Sequence, residues 1–393
     1  MPSIRQSPRA PGFVQNPYPF YDRMRRLGPI VTWEDYGLPC AVSHAAVNAI
    51  LRDRRFGREE PAELRAPVPG HLAPFYAVEA HSMLELEPPR HTRLRGLVLR
   101  AFTARRVAAL GPEIAALAHR LIDALPAQGG DILDHFARRL PVIIIARLLG
   151  VPETRADDLL AWSNAMVRMY IAGRDRGTED RAVAATEAFV AFLRAHVEVR
   201  RQSPGDDLIT HLIAAEADGE RLSTDELITT CILLLNAGHE ATVHALGIGI
   251  KTLLEQKTPA SALEPARIAA TVEEILRFDP PLHLFTRHAY EDIEVMGHRF
   301  RRGDRVACLL GAAGRDPGMF AAPHRFDPDR PPRPHLAFGA GLHFCVGAPL
   351  ARLEMQIALP ILFARLPRIA LAGRPRYGDT FHFHGLEALG CHW

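Results

Sequence analysis

The longest uninterrupted helical pattern in the sequence runs from 224 to 255, with apolar residues at three- and four-residue spacing and no proline. Unbroken, it would measure about 45 Å at 1.5 Å per residue, enough to cross a whole domain. Its most apolar part, Cys231 to Ile250, also holds Asn236, His239, Glu240 and His244, which would be costly in lipid. The segment therefore reads as a buried helix around which a helical molecule is arranged, rather than as a membrane span.

Helical periodicity recurs near 17–27, 43–52, 90–125, 131–149, 153–172, 179–201, 206–217, 262–278 and 346–365, often behind a Ser, Thr or Asp cap. Strand signals are short. The run 31–34 with 39–43 predicts a hairpin, and 293–310 alternates around Gly297 and Gly303 as later strands would. Between 311 and 340, proline, glycine and aspartate leave room for neither helix nor sheet, and a loop that long inside a compact domain usually carries function. The fold class is thus mainly α with small β-sheets. No linker, charge block or internal repeat divides the chain, so 1–393 reads as a single domain, with 1–12 as a disordered arm.

Composition enters as a set of exclusions. With 48% hydrophobic and 23% charged residues the chain can bury a sizeable core. A formal charge of +2, from nearly balanced acids and bases, gives no field that would announce a nucleic acid or a membrane surface. Five cysteines (Cys40, Cys231, Cys308, Cys345, Cys391) are odd in number and widely spaced, without a CxxC pair, which fits a reducing cytoplasm. No basic start followed by an apolar run marks a signal peptide or an anchor.

The strongest chemical signal is Phe338-Gly-Ala-Gly-Leu-His-Phe-Cys345-Val-Gly347, a glycine-studded loop delivering one cysteine to a helix predicted to begin near Val346. A helix N-terminus carries about half a positive charge and several free N–H groups, both favouring thiolate over thiol. Gly339, Gly341 and Gly347 let backbone approach a flat cofactor closely. The run is not a dinucleotide fingerprint, because Phe344 stands where the third glycine belongs and no strand precedes it.

This run resembles the FxxGxxxCxG haem-binding loop of the cytochrome P450 family, without a mismatch, and the resemblance extends over almost the whole chain. It implies the family's triangular α-helical prism around haem b with an axial thiolate from Cys345. Glu274-Ile-Leu-Arg277, an acid and a base on one helical face, resembles the family's ExxR element. Arg330 stands where its partner arginine is expected. His91 and Arg95 match the positions serving one haem propionate, and Arg287 and His343 those serving the other. Phe338, Gly339 and Gly347 fall in the same cofactor-binding set.

Ala237-Gly-His-Glu-Ala-Thr242, in the long helix, resembles the family's oxygen-activation motif. There Gly238 leaves room for dioxygen and an acid and a threonine relay protons. The chain departs from that pattern, because Ala241 follows Glu240 and the hydroxyl comes only at Thr242, about 100° further round the helix. Proton delivery then falls to Glu240 with Thr242, ordered water or a hydroxyl of the substrate. The expected substrate carries an oxygen near the carbon attacked.

By the same resemblance, the pocket is built from Met83 and Leu84, Met166, Met169 and Tyr170, Leu235, Leu282, His283, Leu284 and Phe285, and Phe381 with Phe383. Methionines and aromatics make adaptable apolar walls, suited to a steroid, terpenoid, fatty acyl or aromatic guest. No flavin or iron–sulfur module is evident, so electrons are expected from a separate ferredoxin and its reductase, met by Arg100, Arg105, Arg106 and Arg352. The implied activity is that of a monomeric haem-thiolate monooxygenase using dioxygen on a small, largely apolar molecule. A peroxide-driven peroxygenase or a haem isomerase on the same fold is the alternative, and a non-enzymatic haem sensor or carrier stands behind both.

Overall fold

The computed structural model describes residues 1–171, 174–215 and 221–393. The long segment is one helix, Thr224–Glu255, opened by a capping box in which the Ser223 side chain accepts from the Glu226 amide and the Glu226 carboxylate accepts from the Ser223 amide. It runs through the main core and touches Arg139–Leu148, Ala156–Val167, Arg176–Gln202, Ile268–Phe278 and Ala348–Arg365. A helix apolar on nearly every face has to be buried on every face. Among the described residues no helix is long and apolar enough to cross a membrane.

Two continuous patterns divide. The 90–125 region forms Arg90–Ala101, Ala104–Ala109 and Gly111–Asp123, because Thr103 caps a new helix by accepting from the Arg106 amide and Pro112 suits a helix start better than a helix interior. The 131–149 region begins with one wide turn at Leu133–Ala137 before Arg139–Leu148. The last residue of the predicted 153–172 segment and the last two of 206–217 lie outside the described residues.

Six short strands form the principal sheet in the order Ser3–Ile4, Ile30–Trp33, Leu38–Ala41, Arg305–Leu309, Leu284–Ala289 and Phe56–Gly57. Both expected strand zones are present, with Ile30–Trp33 antiparallel to Leu38–Ala41. Leu284–Ala289 had no periodic signature of its own, yet it pairs antiparallel with Arg305–Leu309 and sets Arg287 opposite Val306. Three smaller sheets gather the C-terminal strands and the Ile293–Val295 hairpin.

Two expectations are corrected. Residues 1–12 are not a disordered arm. Ser3–Ile4 adds a parallel strand to Ile30–Trp33, Arg5 pairs with Glu34 at 3.0 Å, and the Trp33 indole donates to the Gln6 carbonyl at 2.6 Å. Low hydrophobicity hid a segment held by backbone pairing. Within 311–340, Leu310–Gly314 forms a short buried helix, leaving the remainder as the irregular connection to the cysteine loop.

Candidate active site

The cysteine loop is closed by its own backbone. The Gly339 amide donates to the Leu336 carbonyl at 2.8 Å and the Cys345 amide to the Phe338 carbonyl at 3.0 Å. Gly339 and Gly341 both take positive φ, +70° and +69°. A Cβ on Gly341 would lie 2.3 Å from the Leu51 carbonyl oxygen, so close approach as well as dihedral angle requires glycine there. The helix beyond begins at Ala348, two residues later than expected.

Cys345 is exposed while the other four cysteines are buried, and Phe344 beside it is 39% exposed. The thiol opens into a cleft with dense protein around it. Burial pushes it toward the neutral form, whereas the Gly347 and Ala348 amides and the Arg95 and Arg352 cations pull it toward thiolate. In the long helix Ala237 is exposed, with Gly238 and Ala241 partly open beside it, a small-residue face in an otherwise buried rod.

Cations border the same region. Arg287 is buried, donates among the described residues only to the Thr286 carbonyl, and is pushed down to about 10 by that burial. Arg95 donates to the Phe344 carbonyl at 2.7 Å. Neither guanidinium has a carboxylate partner among the described residues, and a buried guanidinium such as that of Arg287 calls for one. An exposed thiol, an open face of small residues and two carboxylate-free arginines together fit a flat, iron-centred macrocycle carrying two carboxylates.

The histidines behave differently from the arginines. His343 meets the Glu87 carboxylate at 2.8 Å, and its ring lies 4.4 Å from that of His91. His91 is buried with Nδ1 unpartnered, and burial, with His343 and Arg95 nearby, pushes it down to about 4, so it is neutral. Glu87, which from sequence only precedes a helix, is the acid that holds His343.

Glu274, Arg277 and Arg330 come together. Arg277 grips Glu274 with two hydrogen bonds of 2.7 Å, and Arg330 Nε reaches the same carboxylate at 3.2 Å. The Asp327 amide adds a fourth donor at 2.8 Å. Arg277 also donates to the carbonyls of Gly314, Pro323 and Arg325, fixing the irregular segment that leads to Cys345. Arg352, expected in a basic surface patch, instead forms a fork with Glu273 at 2.6 and 2.8 Å and lies over the Phe338 ring.

In the long helix the Thr242 hydroxyl turns back to the Gly238 carbonyl at 2.8 Å, so it bonds within its own helix instead of facing the open side. Glu240 is held by His244 at 3.2 Å and by His239 at 3.4 Å. Burial raises the Glu240 carboxyl, but these histidines and the Arg138 charge outweigh it and leave the group below its ordinary value. A Cβ on Gly238 would meet Ile145 at 3.2 Å, so part of the room at that glycine is already filled.

Three pocket expectations are corrected. His283 is fully buried and bonded to Tyr21 at 2.9 Å. Leu284 and Phe381 join the N-terminal aromatic core with Phe13 and Trp33. Leu284 turns away because successive strand residues point to opposite faces. Leu235 is buried in the main core, as the pocket methionines are. Leu282 bridges Phe383, Phe285 lies against Gly339, and Met83, Met166 and Met169 are buried in the main core. Tyr170 donates to Glu79 at 2.9 Å, and Leu84 is half-buried nearby. Sequence reasoning missed Glu79 and Arg58. The latter is paired with Glu85 at 2.6 Å and stacked over Phe285, and neither residue carries a periodic or motif signal.

Comparison with known proteins supplies the family. The model for "Cytochrome P450" matches residues 268–366. The biotin biosynthesis cytochrome P450 of Bacillus subtilis is 34% identical over 397 residues, covering 98% of each chain. The 6-deoxyerythronolide B hydroxylase of Saccharopolyspora erythraea is 42% identical over 296 residues, 74% of this chain and 72% of its own. A solved structure of P450BioI in complex with hexadec-9Z-enoic acid ligated acyl carrier protein superposes with a TM-score of 0.91 at 34% identity, covering 97% of this chain and all of the other. The chain belongs to the cytochrome P450 family of haem-thiolate enzymes, and it is a monooxygenase.

Proposed function

We propose that this chain hydroxylates an acyl-derived or similarly apolar skeleton that bears an oxygen near the carbon attacked, with Cys345 as the thiolate ligand of its haem. Bound haem supplies the activation of dioxygen. Arg95 and Arg287 are the cations that would hold its carboxylates, with His91 and His343 against them. Glu274, Arg277 and Arg330 support the loop without touching substrate. Glu240 is the acid that moves a proton into the open face beside Ala237 and Gly238.

The observation that carries this reading is the Thr242 hydroxyl turned onto the Gly238 carbonyl, with Ala241 offering none in its place. The helix therefore presents no hydroxyl of its own to that face, and water or a hydroxyl of the substrate completes the path from Glu240. The similar 6-deoxyerythronolide B hydroxylase and the acyl-bearing structural neighbour support an oxygenated, acyl-derived guest. Arg100 and Arg105, exposed at the end of the Arg90–Ala101 helix and just after it, would meet an acidic ferredoxin as external electron donor.

Screening oxygenated and oxygen-free compounds by the spin-state shift of the Soret band identifies substrates. Ala241→Thr then tests the proton path through product formed per reduced nicotinamide consumed. A gain confined to hydroxyl-free substrates supports substrate assistance. An equal gain with both classes overturns it. The missing hydroxyl also suits peroxide-driven turnover, and product from hydrogen peroxide alone at a rate matching that with ferredoxin and dioxygen would favour that second reading.

A further inference from the structure

Away from the cysteine cleft, the segment after the Ile268–Phe278 helix and the C-terminal turn bring three metal-ligating side chains together. Asp279, His283 and His384 are all buried, and one ligand atom from each lies within 4.8 Å of the others. Asp279 Oδ1 is 3.6 Å from His384 Nε2 and 3.8 Å from His283 Nε2. These separations are too long for hydrogen bonds. They are close to the about 3.3 Å edge of a tetrahedron with metal bonds of about 2.0–2.1 Å. His283 is fully buried, and its Nε2, which faces this gap, has no hydrogen-bond partner. An orphaned buried nitrogen is costly unless something else occupies the space.

We propose that Asp279, His283 and His384 bind a divalent transition cation of the zinc type. Outer hydrogen bonds and ring contacts hold each of the three side chains in place, as they do around metal ligands. Tyr21 meets His283 Nδ1 at 2.9 Å. Tyr18 donates to Asp279 Oδ1 at 2.6 Å, and Tyr377 donates to Oδ2. The Tyr377 ring stacks on His384 with centroids 3.8 Å apart, fixing the imidazole plane.

Two cations stand near and set the limit on affinity. Lys251 is matched by Glu255 at 2.8 Å. Arg315 lies between the Tyr18 and Phe278 rings and donates to the Phe278 carbonyl.

The position gives the ion a task. The His283 amide donates to the His382 carbonyl and the His384 amide to that of Pro281, both at 2.9 Å, with Leu282 and Phe383 bridged between them. A cation there would lock the two segments that carry Leu282, Phe285 and Phe383, all expected at the substrate.

The test uses haem-loaded protein produced with zinc in the medium and dialysed, compared with His283→Gln, His384→Gln and Asp279→Asn. We expect about one zinc per chain in the natural protein and at least tenfold less in each variant. Added zinc should raise the melting temperature of the natural protein alone. Retention by the variants equal to the natural protein's, or no zinc in either, overturns the proposal. Should the variants fail to bind haem, anomalous diffraction at the zinc edge from natural crystals decides. A peak between the three side chains supports the site, and a peak elsewhere or none overturns it.

Discussion

Removing the Glu274 carboxylate leaves Arg277 and Arg330 facing a gap with no counter-charge. Glu274 is 4% and Arg277 2% exposed, so little water can compensate. Glu274→Gln is expected to lose about 3–5 kcal/mol of stability in urea denaturation followed by circular dichroism, with haem content falling in parallel. Cys345→Ser should keep the fold, since a serine hydroxyl can accept from the Gly347 and Ala348 amides that the sulfur now faces, but abolish the red-shifted absorption of the reduced carbon monoxide complex. Retention of that absorption would show that another residue binds the iron. At this scale the sequence was most legible. Cys345, Glu274 and Arg277 stand in short local motifs that survive without tertiary information. The direction of the Thr242 hydroxyl was not legible, because back-bonding to Gly238 competes with any outward role.

Between elements, the Ile268–Phe278 and Ala348–Arg365 helices are tied by Glu273, which accepts from Arg352 and sits 3.0 Å from His335. Burial raises the Glu273 carboxyl, but Arg352 and His335 outweigh it and push it down to about 2. Because the folded value lies below the ordinary value of 4.5, the contribution is fully present above the unfolded value and fades as pH falls toward 2. Glu273→Gln should therefore be less stable than the natural protein at neutral pH, with the difference narrowing below about pH 4.5 in acid denaturation. A gap independent of pH would mean that the ion pair contributes nothing. Gly341→Ala should loosen the cysteine loop, because its Cβ would strike the Leu51 carbonyl. Haem dissociation measured by transfer to an acceptor protein should quicken, and an unchanged rate would show that the loop relaxes freely. The helices were legible from periodicity. Leu284–Ala289 was not, because a strand in the middle of a sheet is specified by the neighbours it pairs with.

For the whole molecule, the N-terminal residues close one edge of the principal sheet. Deleting residues 1–10 should lower the melting temperature by a few degrees, roughly 1–2 kcal/mol of edge pairing, and no shift would return the arm to the status of an ornament. With Arg352 taken by Glu273, any steering of an acidic ferredoxin rests on Arg100 and Arg105. Reduction by such a partner should slow as ionic strength rises, and Arg105→Glu should slow it further at low salt. Rates flat in salt would rule out steering.

The sequence by itself determined the mainly helical class, the long buried helix and the placement of one cysteine in a glycine-rich loop before a helix. Periodicity, capping and glycine spacing act over a few residues and need no distant partner. Tertiary structure alone decided that Glu87 takes His343, that His283, Leu284 and Phe381 turn away from the cleft, and that Asp279, His283 and His384 meet. Those outcomes depend on which faces remain free once helices and strands from opposite ends of the chain have packed. No local pattern encodes a contact between residues a hundred positions apart.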